Sequence, residues 1–128
     1  HRPALVVVHI APQRLTHDMI MDAKEFGLSI LSEDQMEISQ YAGTVSGRKE
    51  DKFASGLLRT RQPKVISTPV LDGCAATMEC RLEKAISMGD HTIFVGRVVA
   101  FERDESKKPL ILHRGKYYRL GEKIGKYY

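Results

Sequence analysis

Tryptophan is absent from this 128-residue chain, cysteine occurs only twice, and no apolar run is long enough to span a membrane. Two cysteines cannot build a multi-bridge scaffold, and the spacing of Cys74 and Cys80, with no flanking histidine, does not read as a zinc site. They read as buried or half-buried thiols without a local cation to activate them. With no stretch near the roughly 20 apolar residues of a membrane span, and no leader-like N-terminus, the default expectation is a cytoplasmic protein. Also missing are the Gly-Lys-Ser/Thr ending of a P-loop and the Gly-x-Gly-x-x-Gly fingerprint, which argues against nucleotide hydrolysis. No Ser/His/Asp or Cys/His arrangement, internal repeat, low-complexity segment or domain linker is evident.

What is present fits one compact domain over residues 1–128, with 42% apolar residues for a core and 28% charged residues for a solvated surface. The net charge of +4 is placed unevenly, because residues 107–128 carry seven Lys/Arg against the single acid Glu122. Lys116-Tyr117-Tyr118-Arg119 and Lys126-Tyr127-Tyr128 interleave aromatics with cations, a pattern that can stack on bases and contact phosphates. A solvated C-terminal hairpin and tail explains the same residues more simply, and nucleic acid is not the expected partner.

The chain alternates between β and α patterns. Residues 4–10 are apolar and largely β-branched and read as a buried strand, with His9 among core-like neighbours. Thr16 is placed as the cap of a short helix reaching about Glu25, and Phe26–Leu31 returns as a strand. Ser32-Glu33-Asp34-Gln35 has the spacing of a capping box for a second helix that Gly43 ends. A third short helix is expected over 49–56, with Glu50 and Asp51 in its first turn. From Ala76 the period becomes two, putting Ala76, Met78, Cys80, Leu82 and Ile86 on one face and Thr77, Glu79, Arg81 and Glu83 on the other. Met88-Gly89-Asp90 supplies a turn, Thr92–Glu102 an antiparallel return, and Arg114-Gly115 the centre of a last hairpin between 110–112 and 117–120. Long antiparallel hairpins with helices between earlier strands point to a barrel-like, mainly β fold rather than a doubly wound parallel sheet.

Three segments can carry chemistry. The first strand runs through Ala11-Pro12-Gln13 into Arg14-Leu15-Thr16-His17 at a helix start, where unpaired N–H groups and the helix dipole favour an anion, with phosphate the first candidate. Taken alone, Thr16 is an ordinary cap and Arg14 a loop cation. The second is Thr44-Val45-Ser46-Gly47-Arg48 with Asp51-Lys52-Phe53. There Ser46 and nearby amides suit an anion, Gly47 permits close backbone approach, and Arg48 or Lys52 add charge-assisted bonds; a solvated mixed-charge turn is the plainer reading of these charges. The third, Gly89-Asp90-His91-Thr92-Ile93-Phe94-Val95-Gly96, is a tight turn opening a strand with a histidine that can donate to a ligand or shuttle a proton. A lone histidine is more often structural.

In order and approximate spacing these segments, with Cys74-Ala75-Ala76-Thr77-Met78-Glu79-Cys80 and Pro109-Leu110-Ile111-Leu112, resemble the flavin reductase-like family that includes flavoredoxins. The resemblance spans nearly the whole chain. It implies an FMN-binding split β-barrel with inserted short helices, usually a homodimer with one flavin per subunit near the interface. Position by position, Arg14, Leu15, Thr16 and His17 match the family's loop around the FMN phosphate, and Ser46, Gly47, Arg48 and Lys52 match a second loop approaching it. His91 matches the histidine beside the flavin on the side of the electron donor. The implied activity is electron transfer from NAD(P)H through FMN to a free flavin, a metal complex or a partner protein; a flavoredoxin-type carrier that takes electrons from a protein is the alternative. Family members normally have strands before the segment matching Arg2–Leu5, so a longer protein, with those strands ahead of His1, is expected.

Overall fold

The computed structural model describes residues 2–49 and 51–128. Strand β1 (Leu5–Ile10) is followed by helix α1 (Leu15–Ala23), strand β2 (Glu25–Ile30) and helix α2 (Met36–Thr44). A single 3-10 turn (Lys52–Ser55) precedes the short strands β3 (Thr60–Arg61) and β4 (Val70–Leu71). Then come the long strands β5 (Ala76–Met88) and β6 (His91–Arg103), and a small hairpin of β7 (Ile111–His113) and β8 (Lys116–Tyr118). The main sheet has the order β1-β6-β5-β2 with every pairing antiparallel. Register shifts at Glu79/Cys80 and Leu82/Lys84 bend the β5–β6 hairpin, since a bulge adds twist to its strand, and the sheet curls into a half-barrel. The mainly β architecture expected from the long hairpins is the one observed. Among the described residues no helix is long and apolar enough to cross a membrane.

The core forms where α1 covers one face of this sheet. Ile20, Phe26, Cys80 and Phe94 are buried together, and Val6, Val8, Ile10, Leu28, Met78, Leu82 and Val98 pack around them. Gly96 is required here, because a Cβ would stand 2.5 Å from the Phe26 ring. Cys74 and Cys80 are both free and buried, and burial alone pushes the Cys80 thiol up to about 11.

Several local expectations change. β1 is an edge strand whose side chains alternate between half-buried and exposed, so only Val6, Val8 and Ile10 reach the core and His9 lies on the exposed face. Alternation on an edge strand is what a sheet covered on one side produces. Arg14, not Thr16, occupies the cap position of α1, without a side-chain cap bond, and the helix ends at Lys24 in a left-handed conformation (φ 59°). The capping box forms by half: the Ser32 N–H donates to Gln35 Oε1 at 2.9 Å. The Ser32 hydroxyl, however, turns to Asp34, and Ser32 bridges to Pro109, so α2 begins only at Met36 and runs one residue past Gly43. The third helix shrinks to its last turn, capped by the Asp51 side chain on the Phe53 N–H and ended by Gly56 at φ 79°; Glu50 lies outside the described residues. The last hairpin turns where expected, on Arg114 and Gly115 at positive φ, and Tyr117 joins it to α2 through Ser39 (2.9 Å).

The largest departure concerns the polar face of β5. Thr77 and Glu79 are 5% and 3% exposed, although period two assigns them to solvent. The segment 62–70 lies over that face. Glu79 accepts the N–H groups of Lys64, Val65 and Ile66 at 2.7–3.1 Å. Glu25 on the neighbouring strand accepts the Ser67 and Thr68 N–H groups and the Thr68 hydroxyl at 2.7–2.8 Å. Two carboxylates thus satisfy five consecutive backbone donors of a loop, which is what allows both to be buried.

Candidate functional site

Helix α1 starts directly after β1 because Ala11 accepts the Arg14 N–H, forming a tight turn at the end of the edge strand. The first N–H groups of such a helix, here those of Leu15 and Thr16, have no carbonyl partner within it and point out of its N-terminus. Facing them is the stretch that leaves α2. Gly47 packs so tightly on the Leu15 side chain that a Cβ would stand 3.2 Å from Leu15 Cδ2. Between the two lies an open cleft of about 1000 Å³. Arg14, Leu15 and Thr16 line one side and Ser46, Gly47, Arg48 and Lys52 the other, with Ile10, Met19, Val45 and Phe53 as apolar wall. The two segments singled out as anion-suited therefore share one cleft.

Their cations are employed differently. Among the described residues neither the Arg14 guanidinium nor the Thr16 hydroxyl has a hydrogen-bond partner. Arg48, by contrast, donates through Nε to the Gln13 carbonyl (2.7 Å) and through Nη2 to Asp18 Oδ2 (2.6 Å), bridging the two sides. The Arg48 guanidinium, and secondarily His17, hold the Asp18 carboxyl below its ordinary value. Lys52 donates to the Ala42 carbonyl (2.8 Å) and Ser46 accepts the Arg48 N–H (3.2 Å), contacts that shape the second segment itself.

The two histidines lie outside the cleft lining. His17 turns inward from α1, with Nε2 2.8 Å from the Thr92 hydroxyl and its ring edge-on to Phe94. His91 opens β6 beside Thr92, half exposed, with Nδ1 2.8 Å from Asp90 Oδ1. That contact holds the Asp90 carboxyl below its ordinary value. Since Thr92 pairs with Ile10 at the end of β1, the histidine turn and the cleft occupy the same end of the sheet.

Asp18, the Gln13 carbonyl and Thr92 escape sequence reasoning. Asp18 shows no signal beyond being an acid in a first helical turn, which capping explains as well. Its partner stands 30 residues away and becomes visible only once the second segment is seen to lie against α1.

The donors and apolar walls of the cleft fit a ligand that carries an anionic end and an apolar portion. Comparison with known proteins adds the family. The pattern described as a flavin reductase like domain matches residues 1–121. An NADH:FMN oxidoreductase of Rhodococcus qingshengii is 34% identical over 122 residues, covering 91% of this chain and 60% of that protein. The chain thus spans less than two thirds of the length of that curated relative. An FMN-binding protein from Thermus thermophilus, solved with p-hydroxybenzaldehyde bound, superposes with a TM-score of 0.86 at 32% identity, over 98% of this chain and 74% of that one. A flavoredoxin from Methanosarcina acetivorans superposes at 0.88 over 99% and 74% of the two chains; at 23% identity it speaks for the fold alone.

Proposed function

The chain belongs to the flavin reductase-like domain family, and from that premise we propose that it binds FMN in the cleft between α1 and the 43–53 segment. The observation that carries this reading is the convergence of two separate segments on one cleft, whose rim holds an arginine with no hydrogen-bond partner among the described residues and the first N–H groups of a helix. Arg14 and Thr16 then take the phosphate, joined by the Leu15 and Thr16 N–H groups, while Ser46, Gly47, Arg48 and Lys52 form the opposing wall. Ile10, Met19, Val45 and Phe53 give apolar surface for the ring. His17 fixes α1 to the sheet from behind. His91, at the same end of the sheet as the cleft, is the residue assigned in this reading to orient an incoming electron donor.

The bound flavin supplies hydride and electron transfer from NAD(P)H to an acceptor, which is a free flavin, a metal complex or a partner protein. The residues contribute position and charge neutralisation. A homodimer with the flavin near its interface completes the reading, and the half-exposed Leu5 and Val7 on edge strand β1 supply apolar surface for such contacts.

Incubation with FMN followed by gel filtration tests the binding directly. The protein fraction is expected to show the absorption bands of oxidised flavin, and a colourless fraction refutes the proposal. Arg14→Ala is expected to weaken FMN binding about tenfold, the scale of a charge-assisted bond. Anaerobic addition of NADH or NADPH then separates the two redox readings: bleaching of the yellow band supports the reductase, and persistent colour supports the flavoredoxin-type carrier.

A further inference from the structure

The 46–48 stretch is held against α1 largely through one side chain. Arg48 spans the gap to Gln13 and Asp18, and Asp18 in turn lies 3.4 Å from His17 Nδ1. The His17 ring is itself fixed on its far side by Thr92 and by Phe94, which is fully buried. A polar chain therefore runs from the core, through Thr92, His17, Asp18 and Arg48, to the rim of the cleft. We propose that Asp18 is a positioning residue: acting through Arg48, it sets the distance between the Arg14–Thr16 side of the cleft and the Ser46–Lys52 side. The inference rests on the anion-binding reading of the cleft given above.

Two physical effects of Asp18 on a bound phosphate have opposite signs. As a bare charge, a carboxylate next to an anion site repels the ligand and offsets the positive helix end, so neutralising it tightens binding. As the partner of Arg48, it keeps the second wall in place, so neutralising it loosens binding. The sign of the change decides between them.

FMN binding to the full chain and its Asp18→Asn and Asp18→Glu variants, followed by quenching of flavin fluorescence, reads that sign. Asp18→Asn is expected to raise Kd about three- to fivefold, the scale of an exposed ion pair, and Asp18→Glu to restore most of the affinity. Tighter or unchanged binding in Asp18→Asn overturns the proposal. A second measurement needs no flavin. Trypsin cleavage after Arg48 and Lys49 in the ligand-free protein is expected to speed up about threefold in Asp18→Asn, as opening of the segment becomes easier, and to slow again in Asp18→Glu. An unchanged cleavage rate also overturns the proposal. Should the wild-type protein take up no FMN while cleavage responds as described, the flavin reading fails and the positioning of the 46–48 stretch by Asp18 through Arg48 stands.

Discussion

Two loops of this protein are fastened by different chemistry, one over the face of the sheet and the other against helix α1. The 62–70 segment is held from beneath by Glu25 and Glu79, two buried carboxylates that accept five consecutive backbone N–H groups. The 43–53 segment is held to α1 by the Arg48–Asp18 pair and closed onto α2 by Lys52, through bonds exposed to solvent. Buried bonds to charged acceptors are strong and costly to leave unmade, whereas exposed ion pairs contribute little and are screened by salt. The first loop is thus part of the scaffold. The second is a cleft wall held by exposed bonds, which opens more easily than the first.

Breaking the buried fastening has the largest expected effect. Glu79→Ala leaves three N–H groups of 64–66 without an acceptor, and a loss of about 3 kcal/mol in unfolding free energy is expected by chemical denaturation. Acid tests the same fastening in the wild-type protein. Burial pushes the Glu79 and Glu25 carboxyls up, but their N–H donors, with the Thr68 hydroxyl at Glu25 and the nearby Arg61 and Arg81, outweigh it and hold both below the usual 4.5. Because the unfolded chain binds these protons more readily, their stabilisation is complete above that value and disappears as pH falls through the depressed folded values. Thermal midpoints are expected to fall steeply below about pH 4.5, and to fall less in Glu79→Gln than in wild type; equal slopes remove the carboxylates as the cause. Gly27→Ala, whose new Cβ would stand 3.0 Å from Val70 Cγ1, presses on the same loop and is expected to cost about 1 kcal/mol.

These two fastenings were unequally legible in the sequence. Both anion-suited segments could be marked because a strand-to-helix junction and a Ser-Gly-Arg turn have local signatures, and the long β5–β6 hairpin because period two persists over many residues. The pair of buried glutamates beneath the 62–70 segment could not be marked. Glu79 sits in a regular alternation that assigns it to solvent, and its burial depends on a distant loop whose backbone supplies the donors. His9 erred in the opposite direction, since apolar neighbours suggest a core while an edge strand covered on one face leaves every second side chain out. Thr16 was displaced from the cap by Arg14 through the tight turn at Ala11, a matter of one or two residues that local preference does not fix. The Asp18–Arg48 pair, 30 residues apart and exposed at both ends, left no trace at all.

Salt should distinguish the two fastenings with the least disturbance to the chain. At 1 M NaCl the screening length shrinks to about 3 Å, which weakens the exposed Arg48–Asp18 pair and leaves the buried glutamate bonds nearly untouched. Tryptic cleavage after Arg48 and Lys49 is therefore expected to accelerate modestly with salt, while cleavage after Lys64, which has an exposed pair with Glu102 (3.6 Å) but sits in a loop fastened by the buried glutamates, changes less. The comparison requires a control for the protease itself, and an unrelated unstructured peptide cleaved in the same solutions supplies it. If both sites respond alike once corrected, the two loops open together and the wall of the cleft has no independent freedom. If only the Arg48 and Lys49 sites respond, the compliance of the cleft resides in its exposed charges, and ionic strength becomes a handle on ligand exchange that leaves the fold intact.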